Sequence, residues 1–323
     1  MSKQITLKQR YQIDALLKAN HKKSFIADQL GFHKSTIGRE IRRNKSKRTY
    51  NAQRADEYTS ERRADSYKRK YLTEPIKRYI KEKISEDWSP EQIVGVCKKD
   101  NIPIVSHERI YQYIYQDKLQ GGNLFSHLRT TRPKRHKRKS QKSSRYGISN
   151  RVFIDHRPEI VDAKERFGDW EADTIVGTYN KGAILTIVER KSMYTVMAKT
   201  MGKYADSIRK EMINALAPYK QLVHTITSDN GTEFAQHQSI AKKLDADFYF
   251  AHPYSSWERG LNENTNKLIR QYIPKKKSFD LYEQPYIYEI AFKLNTRPRK
   301  SLGFKSPNQV FLTNFENQVA FIT

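Results

Sequence analysis

Between Gln120 and Ile154 the chain carries no acidic residue, and inside that interval lies T-R-P-K-R-H-K-R-K-S-Q-K-S-S-R, Thr131 to Arg145, almost without apolar side chains. Such a run has nothing to bury and repels itself, so it cannot enter a core. Residues 129–150 therefore read as a basic linker, and the fold has to be built on either side of it. The 323 residues are enough for two or more domains. Residues 1–150 hold 36 basic and 15 acidic side chains, residues 151–323 hold 25 and 20, and the whole chain is at +26. A field of that sign selects a polyanionic partner, and nucleic acid fits best. The uneven distribution separates a binding half from a half that does something else.

Residues 1–50 read as three short helices, with apolar residues at helical spacing from Leu7 to Ile41. Ala27, Gly31 and Ile37 have the spacing of a helix-turn-helix: a small residue at the close approach, glycine in the turn, a branched residue packing the second helix. Ser35 is a plausible cap. Lys34, Ser35, Thr36, Arg39, Arg42 and Arg43 would then be exposed, a mixture suited to phosphate and base-edge contacts in a major groove.

Residues 51–128 read as a helical region. Its first part, to about residue 85, is a charged, solvated connector, and Ser89-Pro90 and Ser106-His107 each open a further helix with serine as cap. This pair forms a possible second helix-turn-helix, in which Tyr111, Tyr113 and Tyr115 either contact DNA or pack a small core. The single cysteine, Cys97, excludes an intramolecular disulfide and a cysteine-rich zinc site and suits a reducing compartment. The first ten residues lack an apolar stretch of signal length, and the longest apolar segments, such as Ala183 to Val188, are strand-sized. The expectation is a soluble cytoplasmic protein with no membrane partner.

Beyond the linker, residues 151–323 alternate strand-like and helix-like runs, as in an α/β layered domain. Strands are expected at Asp169–Val176, Ala183–Glu189, Tyr194–Ala198, Leu222–Thr227 and Asp247–Phe250, with a turn at Tyr179-Asn180-Lys181-Gly182. Helices are expected at Ala205–Leu216, Phe234–Leu244 and from about Gly260, giving the order βββ-α-β-α-β-α.

In that order Asp173 lies within the first strand, Asp229 at the end of the fourth, and Glu263 in the first turn of the helix after the fifth. If the first and fourth strands are neighbours, these ends converge on one cleft. Three carboxylates can hold two hard divalent cations and leave positions for phosphate and water. The stretch T-S-D-N-G-T-E-F, Thr227 to Phe234, reads equally as a surface turn, because Asn and Gly tolerate positive φ. On the last helix Glu263, Lys267 and Arg270 share a face at 100° per residue, and Leu261, Leu268 and Tyr272 share the opposite one. Asp169, Glu171 and Asp173 alternate along a strand and point to one face, so periodicity alone does not choose among them.

W-x-x-D at Trp170 to Asp173, S-D-N-G-T-E-F around Asp229, and W-E-R-G-L-N-E-N-T-N-K-L-I-R with Glu263 resemble the DDE transposase and retroviral-integrase superfamily. Within it the chain most resembles the IS30 family of bacterial insertion-sequence transposases. The likeness extends to the N-terminal helix-turn-helix, R-V-F-I-D-H-R-P-E-I at 151–160, and N-T-R-P-R-K-S-L-G-F-K-S-P near the C-terminus. It implies an RNase H-like catalytic domain on a mixed five-stranded sheet and a bacterial, nucleoid-associated location. It gives Asp173, Asp229 and Glu263 the role of catalytic ligands to two Mg2+ ions, with Mn2+ able to substitute, and Lys267 and Arg270 the role of holding substrate phosphates. Glu171 recurs in the motif, whereas Asp169 stands where relatives often have histidine.

The reaction so implied is metal-dependent cleavage of double-stranded DNA at terminal inverted repeats, followed by attack of the freed 3′-OH on target DNA. No nucleotide cofactor is needed and no phosphate-binding glycine loop is present. Two ends joined to one target imply a homodimer or higher homo-oligomer on DNA. The competing classes are a non-catalytic helix-turn-helix regulator, which has no reason to gather mutually repelling carboxylates, and a nuclease of the same fold that cleaves without joining.

Overall fold

Capping and turn chemistry set the first helices. In the computed structural model, which describes residues 4–45, 49–69, 72–129, 148–178, 182–253, 255–275 and 277–322, Thr6 caps α1 (Leu7–Lys18) in a reciprocal box with Gln9. Most of the basic linker and the turn residues 179–181 lie outside the described residues. The chain divides into two compact units, Met1–Glu74 and Pro75–Thr323.

In the first unit α2 (Lys23–Leu30) ends at Gly31, whose φ of 66° is the left-handed conformation that glycine adopts without a Cβ penalty. α3 (Lys34–Asn44) follows, and Ala27 and Ile37 are buried with Ile13, Ile26 and Ile41, as the helix-turn-helix spacing predicts. The cap of α3 is His33 rather than Ser35: its Nδ1 accepts the Ser35 N–H at 3.3 Å, which places Ser35 inside the first turn. α4 (Ala52–Arg69) is more than a solvated connector. Buried Arg10 on α1 donates to Glu40 on α3 at 2.8 Å and to Asp56 and Thr59 on α4 at 2.5 and 3.1 Å, so one guanidinium joins three helices.

The second unit opens with α5 (Glu74–Ser85), α6 (Pro90–Lys99) and α7 (His107–Leu119). Ser89 caps α6 in a box with Gln92, with Pro90 at the first position, and Ser106 caps α7, both as the sequence indicates. Cys97 is buried. On α7 the core residues are Ile110 and Ile114, while Tyr115 is exposed. The short helix α8 (Glu159–Ala163) precedes the sheet.

The sheet contains β1 (Asp169–Val176), β2 (Ala183–Glu189), β3 (Thr195–Thr200), β4 (Thr225–Ser228) and β5 (Asp247–Phe250), in the order β3-β2-β1-β4-β5. β1 and β3 run antiparallel to β2, whereas β4 is parallel to β1 and to β5. The sheet is therefore mixed and five-stranded, as the resemblance implies. Alternation along β1 sends Trp170 and Ala172 into one core with residues of α9 (Ala205–Leu216) and α10 (His237–Leu244). It sends Ile175 into a second core, on the other face, with residues of α11 (Gly260–Ile269) and α12 (Gln284–Thr296). α13 (Pro307–Ile322) adds Phe311 to the first core.

Three boundaries differ from the sequence reading. β4 begins at Thr225 because Ala217–Leu222, with Pro218 near its start, winds as a 3-10 turn. β3 begins at Thr195 and continues to Thr200. Thr232–Phe234 is likewise a 3-10 turn, so α10 starts at His237.

Candidate active site

Parallel pairing of Asp169–Glu171 with Thr225–Thr227 sets the carboxyl-terminal ends of β1 and β4 side by side. Asp173 projects from β1 and Asp229 follows the last residue of β4. Arg259, immediately before α11, spans both: its Nη1 is 3.3 Å from Asp173 Oδ2 and its Nη2 is 3.4 Å from Asp229 Oδ2. One guanidinium thus bridges the two carboxylates. Asp173 also accepts from the Asn266 side-chain amide at 3.0 Å and from the Thr174 N–H at 2.8 Å. Burial pushes the Asp173 carboxyl above its ordinary value, the Arg259 charge opposes that shift, and Asp229 reinforces it.

Glu263 lies in the first turn of α11, as expected, but its carboxylate turns outward. It is half-exposed and pairs with Lys267 at 2.9 Å. Among the described residues no group of three His, Cys, Asp or Glu side chains is placed to hold a metal ion. The structure thus brings Asp173 and Asp229 together and leaves Glu263 apart from them. The shared face of Glu263, Lys267 and Arg270 holds for the first two only. Arg270 is half-buried, with its guanidinium over the Phe279 ring at 6.0 Å and its two terminal nitrogens 3.5 Å from the Ile273 and Val176 carbonyls. Burial lowers its pKa. The opposite face buries Leu268 and partly buries Tyr272 as predicted.

The residues that seat α11 on the sheet escape a reading from motifs alone. Asn262 is fully buried; its amide donates to the carbonyls of Glu171 and Thr186 at 3.0 and 3.2 Å, and its backbone N–H donates to Glu171 Oε2 at 3.0 Å. The other oxygen of Glu171 accepts from Arg190 at 2.5 Å. Glu171 is therefore an anchor between β1, the end of β2 and α11. The Thr186 hydroxyl lies 3.0 Å from the side-chain oxygens of both Asn262 and Asn266 and donates to one at a time. Asp169 is held by two contacts from Arg166, at 2.7 and 3.2 Å, and by the Thr225 hydroxyl at 2.8 Å, a clamp between β1 and β4. The available signal was N-E-N-T-N itself: Asn262, Thr265 and Asn266 occupy core-facing positions together with Ile269, and buried amides at such spacing need partners.

The Asp229 turn is pinned rather than loose. Asp229 Oδ1 accepts the Gly231 N–H at 3.0 Å, the Asn230 side chain donates to the Ala251 carbonyl at 2.5 Å, and Arg151 donates to Asn230 at 2.6 Å. The turn does not use positive φ, since Gly231 is at −68°. Glycine is needed for space: a Cβ there would lie 2.3 Å from Glu233 Oε2. Glu233 is buried, accepts the Thr174 hydroxyl at 2.8 Å and pairs with Lys203. This residue ties the turn to β1 through Thr174.

In the first unit Lys34, Ser35, Arg39, Arg42 and Arg43 are exposed on α3, and Thr36 is half-exposed. Arg39 is steadied by the Ser35 carbonyl and hydroxyl at 3.2 and 3.1 Å. Among the described residues no helix is long and apolar enough to cross a membrane.

A family model described as a helix-turn-helix domain matches residues 2–44. The chain is 47% identical to the transposase for insertion sequence element IS4351 of Bacteroides fragilis, over 99% of both proteins. It is 35% identical to transposase InsI for insertion sequence element IS30A of Escherichia coli K12, over 95% of this chain and 82% of that one. It is 34% identical to the transposase for insertion sequence element IS1086 of Cupriavidus metallidurans, over 88% and 87%. With a helix-turn-helix at one end, two carboxylates converging on one guanidinium at the strand ends of a mixed sheet, and likeness along nearly its whole length, the chain belongs to the IS30 family of insertion-sequence transposases.

Proposed function

We propose that Asp173, Asp229 and Glu263 are the catalytic carboxylates of this DNA transposase and hold two divalent cations, Mg2+ or Mn2+. The observation that carries the reading is the convergence of Asp173 and Asp229 on one guanidinium. An all-oxygen donor set suits hard cations, and two of its three members already share one guanidinium. When bound, the ions supply Lewis acidity at a phosphodiester and at the water or hydroxyl that attacks it.

The chain's own residues do the rest. Asn266 and the Thr174 N–H fix the orientation of the Asp173 carboxylate, and the Asp229 turn fixes its partner. Glu263 has to leave Lys267 to complete the set, and that exchange frees the Lys267 ammonium for a DNA phosphate. In the first step a water oxygen bonds to phosphorus and the 3′ oxygen leaves as a hydroxyl. In the second that hydroxyl bonds to a target phosphorus, and the target's own 3′ oxygen leaves. The exposed side chains of α3 recognise the terminal inverted repeats, and two ends require at least a dimer on DNA.

The test uses labelled end fragments and target duplex, with and without Mg2+. Asp173→Ala, Asp229→Ala and Glu263→Ala are each expected to abolish cleavage and joining while repeat binding survives. Retained strand transfer in any of the three sinks that assignment.

A further inference from the structure

On the side of α11 opposite Glu263 and Lys267, a cavity of about 480 Å3 opens between that helix, α6 and the N-T-R-P-R-K motif. Leu261, Asn264, Thr265 and Leu268 form its α11 wall, which the helical period places away from Glu263. Arg129, Arg299 and Lys300 also line it, whereas Glu91 is its one lining carboxylate, and Glu91 already pairs with Lys300 at 2.8 Å.

Behind the lining is a third guanidinium. Arg297 is fully buried; its Nη1 donates to the Asp87 carbonyl at 3.0 Å, yet among the described residues its Nε and Nη2 have no hydrogen-bond partner. Its guanidinium lies over the Tyr272 ring at 5.6 Å. The carboxylate of Asp87 is shared among His127, Tyr272 and Lys293, at 2.8, 2.9 and 3.2 Å, and offsets the charge of Arg297 only in part. Arg299 donates to the Leu294 carbonyl at 2.9 Å and gains no charge partner by that bond. Burial, and then the nearby Arg297 and Arg129, push its pKa down to about 9. Cations crowded in a half-buried place with too few anions are a cost that folding alone does not explain.

We infer that this cavity binds a phosphate group of the DNA backbone, with Arg129, Arg299 and Lys300 as its cationic ligands. Asn264 and Thr265 offer polar groups from α11, so a strand held there is registered against the helix that carries Glu263. A DNA phosphodiester is the source favoured because the chain is a transposase at +26 and because the acid-free basic run continues directly from Arg129. The site does not depend on which carboxylates are catalytic.

The full chain is tested with two probes. The first is inorganic phosphate against chloride at constant ionic strength, read as the thermal midpoint. The second is a duplex of unrelated sequence, read as the slope of log K against log salt, to which each phosphate contact contributes about 0.9. Arg129→Gln is expected to remove the stabilisation by phosphate and to lower the slope by about one. Glu91→Gln removes an exposed acid, should fold normally, and is expected to strengthen phosphate binding. Contacts made by α3 are common to all variants and cancel. Stabilisation by inorganic phosphate with an unchanged DNA slope overturns the assignment to DNA. No response to phosphate in the wild type, or no change in either variant, overturns the site.

Discussion

Replacing Arg259 by glutamine tests whether the space between Asp173 and Asp229 is a cation seat. At 3.3 and 3.4 Å, each contact carries about 5 kcal/mol of bare Coulomb energy at an effective dielectric constant near 20, and about 1 kcal/mol in bulk water. The side chains of Asp173 and Asp229 are 20% and 37% exposed, so neither limit holds. Desolvation of the guanidinium offsets much of the attraction, leaving about 2–3 kcal/mol for the bridge as a whole. Arg259→Gln should therefore lose about that much stability in chelator at neutral pH, while Arg259→Lys, which keeps the charge but not the fork that spans both carboxylates, should lose less. The same free energy opposes an entering ion. Without DNA, Mn2+ should bind Arg259→Gln about 30- to 150-fold more tightly than wild type, by titration calorimetry or the paramagnetic resonance of free Mn2+. Equal or weaker affinity would refute the competition, whatever happened to strand transfer.

Two further outcomes follow from the same region. Asn262→Ala removes a buried amide and leaves the Glu171 and Thr186 carbonyls without that donor, so urea unfolding should show a loss of about 2–3 kcal/mol. Glu263→Ala, which breaks an exposed pair, should stay within about 0.5 kcal/mol, and similar costs for the two would contradict the placement. His252 lies between Glu258 and Asp155, at 3.0 and 2.8 Å, and these two contacts raise its pKa above 6.5. The tether is complete below pH 6.5 and is lost as pH rises through the folded value. An imidazole titration by NMR should show a raised midpoint that falls in Glu258→Gln and in Asp155→Asn.

The sheet was legible in the sequence because its strands have to be buried in a repeating way. Ala183–Glu189 is buried at every position and β1 alternates between two cores, and the sequence reading places both strands residue for residue. β4 was misplaced at its start because a 3-10 turn and a strand can share the same apolar composition. The carboxylates could be named from their positions in the element order. Their partners could not: Arg259 reaches Asp173 and Asp229 only after the parallel pairing of β1 with β4 brings them side by side. Likewise Asn266 meets Asp173 only through the angle at which α11 lies on the sheet. Such pairings depend on three-dimensional register, which leaves no period in one chain. The outward turn of Glu263 and the inward turn of Arg270 are rotamer choices that helical spacing does not fix.

The acid-free segment that first divided the sequence has a different meaning once its ends are located. Leu124 is buried on the near side and Ile148 enters the main sheet core on the far side, and both belong to the same compact unit. The segment that reads as a linker between domains thus begins and ends within one compact unit, and the division into two units falls earlier, between Glu74 and Pro75.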